Sequence, residues 1–295
     1  MERPTSADFD QNLLYDYDLY AHGQIDRREF LERASRYAVG GLTAVALLQM
    51  LSPRYALAAH VQPTDERIVS DYVKYPSPDG HGEMRGLLVK PAGATPAPGV
   101  IVVHENRGLN PYIEDVARRV AVAGFVAFAP DALYPLGGYP GNDDEGRAMQ
   151  QKLDRAKILE DFVAATRFLH GHAACNGSLG VTGFCFGGWM ANMLAVRLPD
   201  IVKAAVPYYG GQAPAEDAPK IKAALQLHYA ALDERVNAGW PAYEAALKAA
   251  GVSYEVHMYP GANHGFHNDT TPRYDREAAE LAWSRTIAFF NAKLR

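Results

Sequence analysis

Residues 179–194, LGVTGFCFGGWMANML, decide the fold of this chain. An apolar, β-branched run ends at Gly183, and a helix-forming run follows Gly187 with no loop between them. Gly-x-Cys-x-Gly is the thiol counterpart of Gly-x-Ser-x-Gly, the sharp strand-to-helix turn that exposes a nucleophile. The flanking glycines give the strained turn room, and the helix N-terminus favours a thiolate. The stretch therefore predicts a nucleophilic Cys185, although a small buried cysteine fits the pentapeptide alone about equally well.

The chain beyond residue 66 alternates short apolar runs with longer helical patterns. Several of the runs are continuously apolar, as in strands that are covered on both faces. The predicted strands are Gly86–Lys90, Gly99–His104, Phe125–Ala129, Leu179–Phe184, Ala204–Tyr209, Ala224–Leu232 and Tyr254–Tyr259. The predicted helices are Tyr112–Ala123, Arg147–Leu169, Gly188–Arg197, Trp240–Ala250 and Arg276–Lys293. This alternation predicts an α/β fold with a mostly parallel central sheet, helices on both faces, and a Gly/Pro-rich loop over residues 131–147 that is long enough to cap a pocket.

Two polar residues downstream of Cys185 fall at predicted strand ends. Asp233 ends one strand, and His264 follows the next strand along the chain. Nucleophile, acid, histidine is the chain order of the α/β-hydrolase triad, in which the carboxylate orients the histidine that carries protons. Taken singly, Asp233 also fits a helix cap, and His264 a surface turn. The three residues together, in this order and at strand ends, predict a Cys185–Asp233–His264 triad.

Four separated pieces of residues 66–295 resemble the dienelactone hydrolase family of α/β-hydrolases. They read VIVVHENRGLNPYIEDVARRVAVAGFVAFAPDALY, VTGFCFGGWMANMLA, LHYAALDERV and YPGANHGFHNDTTPRYD. The resemblance implies the α/β-hydrolase fold and cleavage of an ester or lactone. It also implies that Glu105 contacts the resting thiol and assists its deprotonation. The backbone N–H groups of Asn106 and Phe186 correspond to the family's oxyanion hole.

The expected substrate pocket departs from that family. Its members hold a substrate carboxylate with two arginines, whereas the matching stretches here, DALYPLGG and HGFHND, contain none. Arg107 and Arg273 are the substitutes that could reach the pocket from another direction. An uncharged or aromatic ester fits as well, because aromatic residues are frequent around the predicted pocket. We therefore expect Arg107, Tyr134, Trp189 and Phe266 to contact the substrate.

The composition excludes several other function classes. The 295 residues carry a net charge of −5 without Lys/Arg runs, which argues against nucleic acid or an anionic membrane as a partner. Two cysteines, Cys175 and Cys185, exclude a disulfide-rich scaffold, and no apolar stretch reaches the roughly 18 residues of a membrane span. The glycines of GFCFGG do not fit a dinucleotide or phosphate loop, and the histidine pairs near residues 170 and 264 lack further ligands. We therefore predict no cofactor and no metal.

Residues 1–59 resemble a twin-arginine export signal. Arg27 and Arg28 precede a weakly apolar stretch, YAVGGLTAVALLQML, and YALAAH offers a small-residue cleavage site whose product starts near His60. The long Tyr- and Asp-rich stretch before the arginines departs from that pattern and fits helices docked on an enzyme. We predict a hydrolase domain over residues 60–295, and favour periplasmic export over a cytoplasmic protein that keeps its N-terminal residues.

Together these features predict a hydrolase that cleaves a small carboxylic ester or lactone through a covalent intermediate on Cys185. Two alternatives stay open: an acyl transferase or thioesterase on the same fold, and a non-catalytic binding protein with a relic site. The expected partner is a small-molecule substrate, and the sequence does not indicate an oligomeric state.

Overall fold

The computed structural model describes residues 4–55, 58–93 and 96–295. Its centre is one eight-stranded sheet made of β1 (Ile68–Ser77), β2 (Gly82–Pro91), β3 (Ala97–Val103), β4 (Val126–Pro130), β5 (Cys175–Phe184), β6 (Val202–Tyr208), β7 (Ala224–Ala230) and β8 (Tyr254–Tyr259). The strand order is β1-β2-β4-β3-β5-β6-β7-β8. Strand β2 is antiparallel to both of its neighbours, and the other neighbouring pairs are parallel. The predicted α/β-hydrolase fold is therefore confirmed.

The predicted strands correspond to β2–β8, and the prediction missed β1. Strand β1, IVSDYVKYPS, mixes polar with apolar residues, and most of its side chains are exposed or half-buried. It lies at the edge of the sheet, where β2 is its neighbour. An edge strand with one solvated face carries no continuous apolar run, so the criterion that found the buried strands did not apply to it.

The described residues contain helices on both faces of the sheet. They are α1 (Gln11–Ala21), α2 (Arg27–Ala34), α3 (Ala44–Leu51), α4 (Pro111–Val122), α5 (Asp143–Lys152), α6 (Arg155–Gly171), α7 (Phe186–Arg197), α8 (Glu234–Asn237), α9 (Trp240–Ala250) and α10 (Arg276–Leu294). Helices α6, α7 and α9 pack in the apolar core on one face, and α4 and α10 in the core on the other. The strands between these layers are almost wholly buried, which explains their uniformly apolar sequences.

The single helix predicted over Arg147–Leu169 is wrong, because the chain forms α5 and α6 there. Leu153 is extended between them, with ψ 145°. Asp154 then caps α6 by accepting hydrogen bonds from the backbone N–H groups of Ala156 (2.8 Å) and Lys157 (3.3 Å). The predicted loop over residues 131–147 is shorter than expected, since α5 begins directly after residue 142. Asp154, which the sequence pattern placed inside one helix, is therefore the N-cap of the second helix.

The first three helices form an N-terminal segment, residues 4–55, with an apolar cluster of its own. The buried members of that cluster are Phe9, Leu13, Leu14, Tyr17, Tyr20, Ala21, Ile25, Phe30, Ala34, Leu47, Leu48 and Leu51. The paired Arg27 and Arg28 begin α2, which Asp26 caps through the backbone N–H of Glu29. Residues 56 and 57 of the predicted cleavage site lie outside the described residues. Export therefore stays a prediction.

The N-terminal segment is docked on the hydrolase domain by hydrogen bonds near the end of α1. Arg147 donates to the carbonyl of Tyr20 at 2.6 Å. The side chain of Asn106 donates to the carbonyl of Ala21 at 2.9 Å. These contacts hold the C-terminal end of α1 over the strand ends that carry the predicted site. Among the described helices, none combines the length and the apolarity that crossing a bilayer requires.

Candidate active site

Cys185 occupies the turn between β5 and α7 with a left-handed backbone, φ 57° and ψ −111°. A residue other than glycine in such a conformation costs about 1–3 kcal/mol and persists only where its surroundings hold it. The N–H of Cys185 donates to the carbonyl of Tyr208 at 3.0 Å. Its own carbonyl accepts from the N–H groups of Gly188 (3.0 Å) and Trp189 (3.2 Å). The strained turn predicted from Gly-x-Cys-x-Gly is therefore present and fixed from both sides.

The flanking glycines are required because backbone approaches backbone at the turn. A Cβ added at Gly183 would lie 2.2 Å from the carbonyl oxygen of Gly187. A Cβ added at Gly187 would lie 2.3 Å from the carbonyl oxygen of Val103. No real Cβ sits so close to a backbone oxygen, so a side chain at either position forces β5, α7 or β3 to shift.

Gly183→Ala is therefore expected to destabilise the protein by about 3 kcal/mol, since the clashing atom belongs to rigid backbone. Gly171→Ala is the matched control, because nothing lies within 4 Å of the Cβ position there. Urea unfolding of both variants measures the difference. Equal stability of the two variants would mean that the turn does not need its glycine.

Asp233 and His264 form a short hydrogen-bonded pair at the ends of β7 and β8. The distance from Nδ1 of His264 to Oδ2 of Asp233 is 2.5 Å, and both side chains are nearly inaccessible. The other carboxylate oxygen accepts from the backbone N–H of Val236 at 3.2 Å and caps α8. Burial alone would raise the pKa of Asp233, but His264 outweighs it and lowers the pKa below its usual value. Asp233 is thus a helix cap and a histidine partner at once.

His264 presents its second nitrogen toward the region of the thiol. A ring nitrogen of His264 lies within 4.8 Å of Sγ of Cys185. Its Nε2 is buried and has no hydrogen-bond partner among the described residues. Because Nδ1 is engaged by Asp233, Nε2 is the nitrogen left to exchange a proton with the thiol. The three residues singled out by chain order are therefore close together in space.

Glu105 is buried behind the thiol and is held by a residue that the sequence did not reveal. Asn268 donates to Oε2 of Glu105 at 3.0 Å, and Glu105 is 4% exposed. The hydrogen bonds between described residues include none from Glu105 to Cys185. Contact of this carboxylate with the resting thiol therefore stays a prediction. Asn268 escaped notice because it lies in the loop after His264 with no motif around it.

The two residues predicted for the oxyanion hole lie beside Cys185. Phe186 is the first residue of α7, so its N–H has no carbonyl partner within the helix. Asn106 follows β3, and its side-chain amide is used by the carbonyl of Ala21. Both residues line the cavity that contains Sγ of Cys185. Their backbone N–H groups therefore stay the predicted donors to an oxyanion.

A cavity of about 510 Å³ opens at Cys185 and His264. Trp189 and Phe186 form its aromatic wall, and Arg147, Arg155 and Arg235 bring positive charge. The described residues that line it include no Asp or Glu. The guanidinium of Arg155 lies 4.0 Å above the ring centroid of Trp189. The pocket is therefore aromatic and cationic; the sequence predicted aromatic residues around it, but not these three arginines.

Of the four predicted substrate contacts, Trp189 lines this cavity, whereas the other three lie elsewhere. Arg107 is buried in an ion pair with Asp143 at 2.7 Å. Phe266 is fully buried in the core. Tyr134 packs against Arg85, whose guanidinium carbon lies 5.1 Å from the centroid of the tyrosine ring. These three side chains do not line the cavity at Cys185, so their contact with a substrate stays a prediction that this cavity does not support.

His22 is a site residue that sequence reasoning missed. Its Nε2 lies 3.2 Å from Sγ of Cys185, across 163 positions of sequence. Nδ1 donates to the carbonyl of Asp18 at 2.7 Å and lies 3.3 Å from the carboxylate. The rings of His22 and His264 meet edge to face, with centroids 4.6 Å apart. The i,i+4 pair of Asp18 and His22 was the available signal, but it fell in a stretch interpreted as an export signal.

His22, Cys185 and His264 also form the described group of side chains that is compact enough to hold a metal ion, with ligand atoms within 4.8 Å of one another. The guanidinium of Arg235 lies 3.2 Å from Nε2 of His22 and 3.4 Å from Nδ1 of His264. A positive charge against both rings opposes a second cation there. The absence of a metal thus stays a prediction, supported by the position of Arg235.

Two family models match the chain. The family model described as "Dienelactone hydrolase family" matches residues 84–294. A second family model, described as "YqhI-like", matches residues 1–39, the range that contains Asp18 and His22. The second match ends within the N-terminal segment, and the first covers the sheet from within β2 onward.

Individual relatives match from 38% to 76% of the chain. The chain is 66% identical over 116 residues to "Putative hydrolase fragment YghX" of Escherichia coli strain K12, a match that covers 38% of this chain and 97% of the relative. It is 32% identical over 239 residues to "Probable 2-oxo-3-(5-oxofuran-2-ylidene)propanoate lactonase" of Bradyrhizobium sp., covering 76% of this chain and 94% of the relative. A solved "Putative Dienelactone Hydrolase" from Klebsiella pneumoniae superposes with a TM-score of 0.66 at 28% identity, covering 76% of this chain and 99% of the other.

Proposed function

This chain belongs to the dienelactone hydrolase family, and we propose that it cleaves a carboxylate-bearing ester or lactone through a covalent thioester on Cys185. Hydrolysis of esters or lactones is the activity of the family; the assignment of steps to residues is the proposal. The observation that carries it is the 2.5 Å pair of Asp233 and His264, whose free ring nitrogen lies close to a thiol on a strained turn.

Acylation uses the thiol and the histidine together. Sγ of Cys185 attacks the carbonyl carbon of the substrate, and the thiol proton passes to His264. The backbone N–H groups of Asn106 and Phe186 stabilise the oxyanion. In other enzymes, the loss of one such donor costs about 3–4 kcal/mol of transition-state stabilisation. When the tetrahedral intermediate collapses, the C–O bond breaks and the departing alkoxide takes the proton from His264. Asp233 keeps the ring in the tautomer that has Nε2 free for each transfer.

Deacylation repeats these reaction steps with water as the nucleophile. His264 takes a proton from a water molecule that attacks the thioester carbonyl, and the C–S bond breaks to release the carboxylic acid. The proton on His264 then returns to the sulfur, which restores the thiol of Cys185. A thiol suits this cycle because a thioester is a good acyl donor and the helix N-terminus of α7 stabilises the thiolate form.

The charge of the cavity supports a substrate that carries a carboxylate. Arg155 and Arg235 line the cavity together with Trp189, and no described residue of its lining bears negative charge. Within the described residues Arg155 has no ion-pair partner, so its guanidinium is available to a ligand. The Bradyrhizobium relative is named as a lactonase of a propanoate, which is such an anion. The uncharged ester considered from the sequence is therefore the less well supported substrate.

The covalent intermediate provides the direct test of this function. A short reaction with an activated ester, quenched in acid, is expected to leave the acyl mass on the peptide that contains Cys185. Hydroxylamine treatment is expected to remove that mass, as it does from thioesters. Acyl mass on another peptide, or none at any quench time while product accumulates, would contradict the proposal.

Arg155→Ala is expected to raise KM about tenfold for a carboxylate-bearing lactone, because a charge-assisted hydrogen bond contributes about 1.5–3 kcal/mol. An uncharged lactone of the same ring size is expected to keep its KM, and kcat is expected to change little for both. Arg167→Ala, at an exposed position of the same helix, is the matched control. An equal rise of KM for both lactones would show that Arg155 does not recognise charge.

A further inference from the structure

We propose that His22, held by Asp18, takes the proton of Cys185 in the resting enzyme and keeps the thiolate paired with an imidazolium. The proposal rests on Cys185 being the nucleophile, as assigned above, and adds a second acid–histidine pair to the same sulfur. It makes the N-terminal segment part of the active site. His264 then remains the histidine that activates water in deacylation.

The hydrogen bonds of His22 determine which of its nitrogens faces the sulfur. Nδ1 donates to Asp18, through the backbone carbonyl at 2.7 Å with the carboxylate 3.3 Å away. Nε2 is then the unprotonated nitrogen, and it lies 3.2 Å from Sγ of Cys185. The step moves one proton from Sγ to Nε2 and breaks or forms no other bond. In acylation this proton, instead of one held by His264, passes to the departing alkoxide. The proton that His264 takes from water in deacylation then passes through the sulfur to His22, so the resting pair is restored.

The charges around His22 act on its protonation in both directions. Arg235, 3.2 Å from Nε2, opposes a positive charge on the ring, whereas Asp18 and the sulfur favour it. Asp18 is itself fixed by Arg273 at 3.0 Å and by Arg235 at 3.5 Å. Burial alone would lower the pKa of His22, but Asp18 and the sulfur of Cys185 outweigh it and raise the pKa above its usual value. The pKa of Asp18 is held well below its usual value despite burial, because His22, His264 and Arg273 surround it. The carboxylate therefore stays ionised beneath the histidine.

His22 takes the place that the family resemblance assigned to Glu105. Glu105 is engaged by Asn268 at 3.0 Å, whereas the described contact of the thiol is with His22. An imidazole also suits the task better than a carboxylate here, because the protonated imidazole is a cation that pairs with the thiolate, whereas a protonated carboxyl group is neutral.

The position of His22 is fixed by the residues that precede it. The carbonyl of Tyr20 accepts from Arg147, and the carbonyl of Ala21 accepts from Asn106. Asn106 belongs to the predicted oxyanion hole, so the end of α1 is joined directly to the catalytic loop. Only 13% of the His22 side chain is exposed. Such anchoring on both sides of the thiol favours a working group over a surface histidine that happens to lie near it.

The test measures thiolate formation rather than turnover. The full-length protein with Cys175→Ser carries one thiol, and iodoacetamide alkylation of Cys185 is followed by peptide mass from pH 5 to 9 in the presence of EDTA. His22→Gln is expected to slow alkylation about tenfold at pH 6 and to move the pH midpoint upward by about one unit. Asp18→Asn is expected to shift the midpoint in the same direction by less. The groups facing His22 in this titration are Asp18, Cys185, His264, Arg235 and, through Asp18, Arg273.

Tyr20→Phe is the matched control, because it removes the docking bond from Tyr20 to Asp144 and leaves His22 in place. An unchanged alkylation profile in this variant, with a shifted one in His22→Gln, supports the proposal. Unchanged profiles in both His22→Gln and Asp18→Asn, or the full shift in Tyr20→Phe, would overturn it. Because alkylation needs no substrate, these outcomes are independent of whether Cys185 is the nucleophile, which the acyl trap decides.

Discussion

Cys185→Ala is expected to lower kcat/KM for ester hydrolysis by about 10⁴-fold or more, the scale of losses when a covalent nucleophile is removed. Without Sγ no thioester forms, and the remaining oxyanion donors and His264 assist only a direct attack by water. The fold is expected to stay intact, because alanine keeps the left-handed turn that Gly183 and Gly187 accommodate. Steady-state kinetics with thermal unfolding of the same preparation measures both effects.

Two further variants sharpen this prediction. Cys175→Ala is expected to keep full activity, because Cys175 begins β5 at the end of the strand opposite to the turn. Cys185→Ser is expected to retain part of the activity, since the hydroxyl meets the same histidine and the same backbone donors. Hydrolysis by Cys185→Ala at the rate of the unmodified protein would refute covalent thiol catalysis altogether.

Asp233→Asn is expected to lower kcat by about 10³–10⁴-fold with little loss of stability. Asparagine caps a helix as well as aspartate does, so the bond from the N–H of Val236 to the capping oxygen is kept. The second position now holds an amide N–H₂, which donates to Nδ1 of His264 instead of accepting from it. The ring then carries its proton on Nε2, the nitrogen that must be free to accept one from the thiol or from water.

Asp154→Asn is the control for this variant, because Asp154 caps α6 in the same way and has no histidine partner in the described contacts. We expect this control to keep both activity and stability. Kinetics and urea unfolding of the two variants separate the two functions of Asp233. If Asp233→Asn lost stability and activity in proportion, its catalytic contribution would reduce to holding α8.

The sequence predicted those parts of the molecule whose structure depends mainly on residues that are close together in the chain. Strands covered on both faces are apolar throughout, so β3 to β7 were recognisable, whereas the half-solvated β1 was not. Cys185, Asp233 and His264 were found because each follows a strand of the parallel sheet, and the ends of parallel strands converge. The break at Leu153 was missed because Asp154 looks like an ordinary polar residue of a helix face until its cap is seen.

The residues that were missed come from distant parts of the chain. His22 reaches the sulfur across 163 positions, and no strand end or motif connects the two. Arg155 enters the pocket from the start of α6, so its charge was not apparent from the two stretches where family members have arginine. Packing between a helical segment and a sheet-based domain depends on surfaces that are complete only after both have folded. A sequence pattern within the N-terminal segment or within the domain alone does not encode this packing.

The docking of α1 has a consequence for how the protein is made. Residues 4–55 leave the ribosome first, but Asp18 finds its partner Arg273 only 255 positions later. Contacts so distant in sequence form late, since the intervening chain must fold before they close. We therefore expect Cys185 to gain His22, its proposed partner, late in folding, after the sheet has formed.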